Sequence, residues 1–479
     1  MFLRAIIVAM LVELMVSSTW AQDLNAVRDD QINRLKDYVL DAIMPSGMVR
    51  DSLVLNGGSF HPATPDAAGF ALIALSAFDH LGKLPDAAQR VEDVLSAYTG
   101  HTPDVNPDRS EDGHYIHFMD IINGSDHPGW DDSYTPIGTA LLVAGAQFAR
   151  NHFAGNSTIA SLTEELTNSV DFNAAIHPSL SGGIYLDMTK EGGGAGGTVQ
   201  PWNEFMLVES LALRQTNNDR ALAVKDKWLD VDNLPKRSYS GIPTLTDNPT
   251  RYAPAFWVQQ MQFFNGDFRQ SADFQTFFTN QQQADQLYSS TALSEAYRYG
   301  LTAGLVPSPV VYHADRIGDH PFNVFSPEAV AAWGDMDTFL DFYNGQDPNS
   351  SPSYKYGLVR ESASQPTWIP NDAGLVDHLF LLFGLVESLD ADFFADRVFP
   401  EFIFGDFDHD GDVDGDDYLE WQRGLGTIYD ANDLADWEAN YGSVAGLPIT
   451  AGTSVPEPSA WVLVLSGFLI SLAINRHRV

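Results

Sequence analysis

The stretch Ala67–Leu81 constrains the fold more than any other, because its core GFALIALSAF is apolar on every face of a helix. A helix without a polar stripe cannot lie on a surface and must be enclosed by other elements. Gly82-Lys83 then turns the chain into Pro85–Tyr98, an amphipathic partner with proline in its first turn. Pro136–Phe153 and Ile159–Val170 pair in the same way. Helical patterns continue at Trp202–Leu213, Tyr252–Phe264, Gln281–Tyr299, Pro327–Phe342 and Gly374–Leu389. Enclosed helices alternating with amphipathic ones describe an inner ring wrapped by an outer ring. The expected fold is therefore mainly α, an (α/α)6 toroid over residues 22–404. Strands are limited to short pieces at Gly183–Met188 and Val310–His313.

Charge and composition narrow the function. The 479 residues carry a net charge of −38, which opposes binding to nucleic acid phosphates. Cysteine is absent, so any stapling comes from packing or metal. Residues 405–442 alone hold twelve Asp/Glu against one Arg.

Both ends read as addresses. Met1-Phe-Leu-Arg4, the apolar run Ala5–Val16 and Thr19-Trp20-Ala21 form a signal peptide over residues 1–21. Val455-Pro-Glu-Pro-Ser459, the apolar run Ala460–Ile474 and Arg476-His-Arg478 follow a linker at 444–454. That run is short for a stable span of about 20 residues and suits a transient one. The order Pro-Glu-Pro, short hydrophobic helix, terminal arginines resembles the PEP-CTERM sorting signal of Gram-negative bacteria. The resemblance implies exosortase-type processing and delivery to the envelope, outer surface or extracellular matrix.

The acidic segment has metal spacing. Numbered from Asp406, side-chain oxygens fall at positions one, three (Asp408), five (Asp410), nine (Asp414) and twelve (Asp417). Asp412 at seven joins the ligand set, and Gly411 at six allows the sharp turn around calcium. Val413 at eight is the apolar pin. Asp417–Gly426 is echoed sixteen residues later by Asp433–Gly442, each a short helix closed by glycine and carrying a tryptophan. Two such helices, packed Trp to Trp, resemble a dockerin-like module over 405–443. The second copy keeps only Asp430 and Asn432 before Asp433, so one calcium site is expected and a cohesin-like partner is weakly supported.

Cleavage of a glycosidic bond needs two carboxyls across a cleft. Glu204 follows the glycine run 192–197 in Gln200-Pro-Trp-Asn-Glu-Phe-Met206, and Trp202 beside it offers a flat face for a sugar. Asp120 closes His114-Tyr-Ile-His-Phe-Met-Asp120, and Asp131 and Asp132 follow in Trp130-Asp-Asp-Ser-Tyr134. Asp372 precedes the last apolar helix, and Trp368 lies in a Pro-flanked loop as a second sugar platform. Glu204, Asp120 and Asp132 form the catalytic set; Trp202, Asp131, Trp368 and Asp372 form the substrate-binding set.

The succession of these blocks over about residues 60–400 resembles the bacterial glycoamylase-like domain, which includes endo-β-1,2-glucanases. The resemblance implies inverting hydrolysis of a polysaccharide on an (α/α)6 toroid. Its motifs read here HFMD with Asp120, WNEF with Glu204 and NDAGL with Asp372. The chain departs from the family at Gly138, Pro254 and Gly304-Leu305, where an aspartate, a histidine and a polar pair are usual. Those departures motivate the alternative of a glycan-binding or structural matrix protein without catalysis.

Overall fold

The computed structural model describes residues 24–57, 61–130, 133–179, 182–215, 217–293, 298–307, 311–345, 355–399, 402–407, 411–426, 429 and 431–444. The expected signal peptide, the sorting signal, Asp131, Asp132, Asp408 and Asp410 lie outside these residues, as does the linker apart from Val444. Among the described residues no helix is long and apolar enough to cross a membrane. The chain divides into two compact units, Met1–Phe399 and Pro400–Val479.

Twelve helices build the first unit. Six are outer: α1 (Leu24–Ala42), α3 (Ala87–Tyr98), α5 (Ser157–Asn168), α7 (Asp219–Trp228), α9 (Ala272–Ala292) and α11 (Met336–Gly345). Six are inner: α2 (Pro65–His80), α4 (Pro136–His152), α6 (Met206–Leu213), α8 (Ala255–Phe264), α10 (Pro327–Ala332) and α12 (Leu375–Glu387). Each inner helix packs on the next in chain order, and α12 packs back on α2, which closes the ring. The outer helix α1 seals the closure by packing on both α2 and α12.

Burial follows the pattern of the sequence. Every residue from Pro65 to Phe78 except Asp66 is buried, and so is every residue of α6. The outer α3 buries one face through Val91, Val94, Leu95 and Tyr98. The starts of inner helices are written locally: Thr64-Pro65, Thr135-Pro136 and Ser326-Pro327 open three of them. Thr64 and Thr135 accept backbone N–H bonds from Ala67 and Gly138, while proline costs nothing where no intrahelical bond exists.

Two inner pairs approach unusually closely. A Cβ added at Gly69 would stand 2.1 Å from the Leu141 carbonyl oxygen, and one at Gly145 would stand 2.3 Å from that of Gly69. On the far side, a Cβ at Gly384 would meet the Ala331 carbonyl at 2.0 Å. Glycine lets α2 lie on α4, and α12 on α10, backbone against backbone.

The structure corrects several boundaries. Pro327–Phe342 is two helices, α10 and α11, broken at Trp333–Asp335. The expected Gln281–Tyr299 helix starts earlier and ends at Ala292. Strands are more numerous than expected, forming five antiparallel pairs. β1 (Ser52–Val54) pairs with β10 (Asp372–Gly374), joining the segments before the first and last inner helices. The expected pieces near 184 and 311 are present as β2 (Ile184–Met188) and β7 (Val311–Ala314). The glycine-rich run is no free loop: Gly194–Val199 is β3, paired with β2.

In the second unit, α13 (Gly415–Gly424) packs on α14 (Ala431–Asn440). Tyr418 sits between the two tryptophans, 5.6 Å from the Trp421 ring and 5.1 Å from that of Trp437. The expected Trp-to-Trp packing is thus bridged by a tyrosine.

Replacing Gly69 by valine would drive two methyl groups into the α4 backbone. The variant is expected to lose about 3 kcal/mol of stability, read by chemical unfolding, as overpacking usually costs 1–3 kcal/mol. An unchanged midpoint would contradict backbone contact at this crossing.

Candidate active site

Inner helices that are apolar throughout meet water only at their ends, and one set of ends forms a cavity of about 450 Å³. Its wall comes from segments leading into α2 (Asp51, Ser52, Leu55, His61, Asp66) and α4 (His117, Phe118, Trp130). The rest leads into α10 (Gly304, Leu305, Tyr312, Glu328) and α12 (Val359, Arg360, Pro370, Asp372 to Gly374, Val376 to His378). Five carboxyls therefore share one cavity: Asp51, Asp66, Glu328, Asp372 and Asp377. Asp66, Glu328 and Asp377 each stand in the first turn of an inner helix, where the helix dipole favours negative charge.

His61 lies between two of these acids. Its Nε2 is 2.9 Å from Asp372 Oδ2, and its Nδ1 is 3.8 Å from Asp51 Oδ2. Its ring leans on Trp130 at 5.9 Å, and Trp130 in turn packs on Phe118 at 4.8 Å. Trp130 keeps 37% of its surface exposed, so an aromatic face remains open beside the acids.

The protein around Asp51 pushes its carboxyl up to about 7, chiefly by desolvation, with repulsion from Asp66 added and attraction from His61 opposing. Its side chain nevertheless keeps 28% of its surface open. Asp377 is pushed up to about 6 by desolvation, against the pull of Arg360 and a hydrogen bond from the Tyr312 hydroxyl at 3.0 Å. Carboxyls that hold a proton near neutrality are what general-acid chemistry requires.

The residues singled out in the sequence are distributed unevenly. Asp372 lines the cavity. Glu204 does not line it, although it stands just before α6 on the same rim: the hairpin before α6 bridges to Tyr134 before α4. Desolvation pushes Glu204 up to about 7, with Asp247 adding repulsion. Asp120 is also off the cavity wall, and its carboxylate closes its own turn by accepting the N–H groups of Ile122 and Asn123 at 2.8 and 3.1 Å. Trp202 offers no sugar face, being fully buried with its ring 5.4 Å from Phe268 and 5.7 Å from Phe274. Trp368 is half-buried in the loop before Asp372. Sequence reasoning missed Asp51, Asp66, Asp377, Glu328, His61 and Trp130. A usable signal existed for three of them: a lone acid in the first turn of an otherwise apolar helix.

The departures from the family motifs have structural reasons. A Cβ at Gly138 would stand 2.8 Å from Thr135 Cγ2 and 3.1 Å from Pro65, so no aspartate fits there without displacement. Gly304 gives its space to Arg360, whose Nη1 would lie 2.1 Å from an added Cβ.

In the second unit, ligand oxygens of Asp412, Asp414 and Asp417 lie within 4.8 Å of one another. Asp406 is buried and accepts the Gly411 N–H at 3.1 Å, which closes the turn. Asp417 accepts the N–H groups of Phe407 and Asp414, tying both ends of the loop to the start of α13. Val413 is fully buried, and its backbone pairs with Gly442 and Ser443 after α14. This hard, acidic oxygen set fits a divalent cation of calcium type.

No protein-family model matches the chain, and no curated protein sequence does. Solved structures do match. A candidate glucoamylase from Bacteroides fragilis superposes with a TM-score of 0.65 at 18% identity, covering 78% of this chain and 94% of that one. The endo-β-1,2-glucanase of Chitinophaga pinensis, solved with sophorotriose and glucose, gives 0.64 at 16% identity, covering 79% and 95%. The endo-β-1,2-glucanase of Talaromyces funiculosus, a mutant solved with β-1,2-glucan, gives 0.54 at 10% identity, covering 91% and 97%. The first unit shares the fold of these proteins.

The raised Asp51 value has a consequence for stability. The folded protein keeps this proton up to about pH 7, whereas an unfolded chain releases it near ~3.9. Ionisation therefore works against folding as pH rises through that window. Asp51→Asn is expected to raise the melting temperature relative to wild type at about pH 8 and to change it little at about pH 4. A difference independent of pH would refute the assignment.

Proposed function

We propose that the toroid hydrolyses a β-glucan-type polysaccharide, with the rim cavity as its catalytic centre. The observation that carries this reading is a cavity holding five carboxyls beside an open tryptophan face, two of the acids being pushed up toward neutrality. Asp51 is the proposed general acid. Asp372, held by His61, is the proposed base that activates water. The imidazole stands between the two, as an inverting pair needs to leave room for that water, at about 6.5–9.5 Å. Trp130 supplies the platform for a sugar ring, and Glu204 extends the acidic rim toward α6. The fold shared with two endo-β-1,2-glucanases supports the choice of substrate.

A second reading is kept by the binding role of Asp120, which is spent on its own turn, and by the burial of Trp202. In it the cavity binds glycan without cleaving it. Incubation with β-1,2-glucan and a panel of other β-glucans separates the two. New reducing ends are expected from wild type, with losses of about 10²–10⁴-fold in Asp51→Asn and Asp372→Asn. Binding without turnover would select the second reading. Loss in Glu204→Gln alone, with Asp51→Asn active, would move the acid role to Glu204.

The segments flanking the toroid complete the proposal. The protein is exported by its signal peptide, processed at the Pro-Glu-Pro tail by an exosortase-type protease, and placed at the envelope or in the extracellular matrix. Asp406, Asp408, Asp410, Asp412, Asp414 and Asp417 hold one Ca2+, which neutralises the crowded loop and makes the second unit a folded spacer; a cohesin-like partner is a lesser option. Calorimetry is expected to show one calcium site, lost in Asp410→Ala. No calcium heat from the full chain would remove this part.

A further inference from the structure

We infer that Arg360 and Glu328 form a neutral-sugar selector in the cavity wall, a donor and an acceptor that only hydroxyl groups satisfy together. The inference rests on the cavity being a glycan site and adds the chemistry that chooses the ring.

Arg360 is 6% exposed and held rigidly. Its Nη2 donates to the Thr302 carbonyl at 3.0 Å and to Asp315 Oδ2 at 2.8 Å. Asp315 is itself buried and fixed by His313 Nδ1 at 2.8 Å. The other two guanidinium nitrogens, Nε and Nη1, have no hydrogen-bond partner among the described residues. Gly304, with φ of 142°, makes room for this arrangement, since a side chain there would collide with Nη1.

Glu328 is 5% exposed. Its Oε1 faces His378 Nδ1 at 3.3 Å, and His378 is anchored through Nε2 to the Tyr356 carbonyl at 2.9 Å. Glu328 Oε2 has no partner among the described residues. Buried polar groups left unpaired are costly, and such groups in a cavity wall mark where a ligand completes the bonding.

A ligand hydroxyl both accepts and donates, so vicinal hydroxyls of a sugar can meet the Arg360 N–H groups and the Glu328 oxygen at once. Water can serve the same groups, and a hydroxyl displaces it without loss of hydrogen bonds. A carboxylate on the ring would suit Arg360 but would face Glu328, Asp51 and Asp377. Arg360 is moreover already neutralised by Asp315, so little attraction for an anion remains. An ammonium group would suit the acids but would leave the arginine donors facing a cation. The cavity thus selects uncharged rings over uronic acids and amino sugars.

The test uses the full chain and three β-linked trisaccharides: one of glucose, one carrying a glucuronic acid residue and one carrying a glucosamine residue. Calorimetry is expected to show the neutral ligand bound at least tenfold tighter than either charged one. Arg360→Lys keeps a cation beside Asp315 but removes the Nε donor, and is expected to lose at least tenfold in neutral-ligand affinity with little change in melting temperature. If that variant does not fold, the double variant Arg360→Met with Asp315→Asn removes the buried pair as a unit and is expected to show the same loss. Equal binding of all three ligands, or wild-type affinity in a folded Arg360 variant, overturns the selector while leaving hydrolysis intact. Binding of none of them removes the glycan reading itself. Selective binding without cleavage retains the selector and removes only the enzymatic claim.

Discussion

Six helices without a polar face can only be satisfied by one another, and that constraint organises the first unit. Once they close into a ring, their flanks are lost to water and only their ends remain addressable. Gly69, Gly145 and Gly384 tighten the ring at two crossings by letting backbone meet backbone, at distances that no β-carbon would tolerate. The pair β1 and β10 then ties the segment before α2 to the segment before α12, so residues some 320 positions apart share one wall. The cavity follows from ring closure and needs no separate invention.

The chemistry of the cavity is a balance between crowding and compensation. Five carboxyls in one enclosure repel each other, and each of the available cations is partly committed. Arg360 is tied to Asp315, His378 faces Glu328, and His61 stands between Asp372 and Asp51. What is left over is expressed as raised proton affinity at Asp51 and Asp377. Such an arrangement works against folding at neutral pH and favours proton transfer, which is the usual direction of compromise at reactive sites.

Much of this was written in the chain and part of it was misread. The all-apolar run Gly69–Phe78, the Thr-Pro and Ser-Pro starts and the amphipathic partners gave the two rings, because burial on every face leaves a signature in composition alone. Asp372 was found through its place before the last inner helix. Trp202 was not legible as core: a tryptophan in a loop beside an acid looks the same whether its ring meets a sugar or Phe268 and Phe274. Asp120 looked like a site acid, yet its oxygens serve the N–H groups of Ile122 and Asn123 two and three residues on. The acids of the cavity stood in plain view at Asp66, Glu328 and Asp377, but no local pattern told which helix ends would converge.

The sequence by itself determined the helical class, the alternation of enclosed and amphipathic helices, and the acidic loop whose oxygens recur at metal-ligand spacing. These depend on periodicity and composition within a few turns of chain. Only the tertiary structure decided which carboxyls share a cavity, which tryptophan keeps an open face and which arginine donors stay unpaired. Those outcomes depend on what lies across the ring, and that is fixed by closure between segments far apart in the chain.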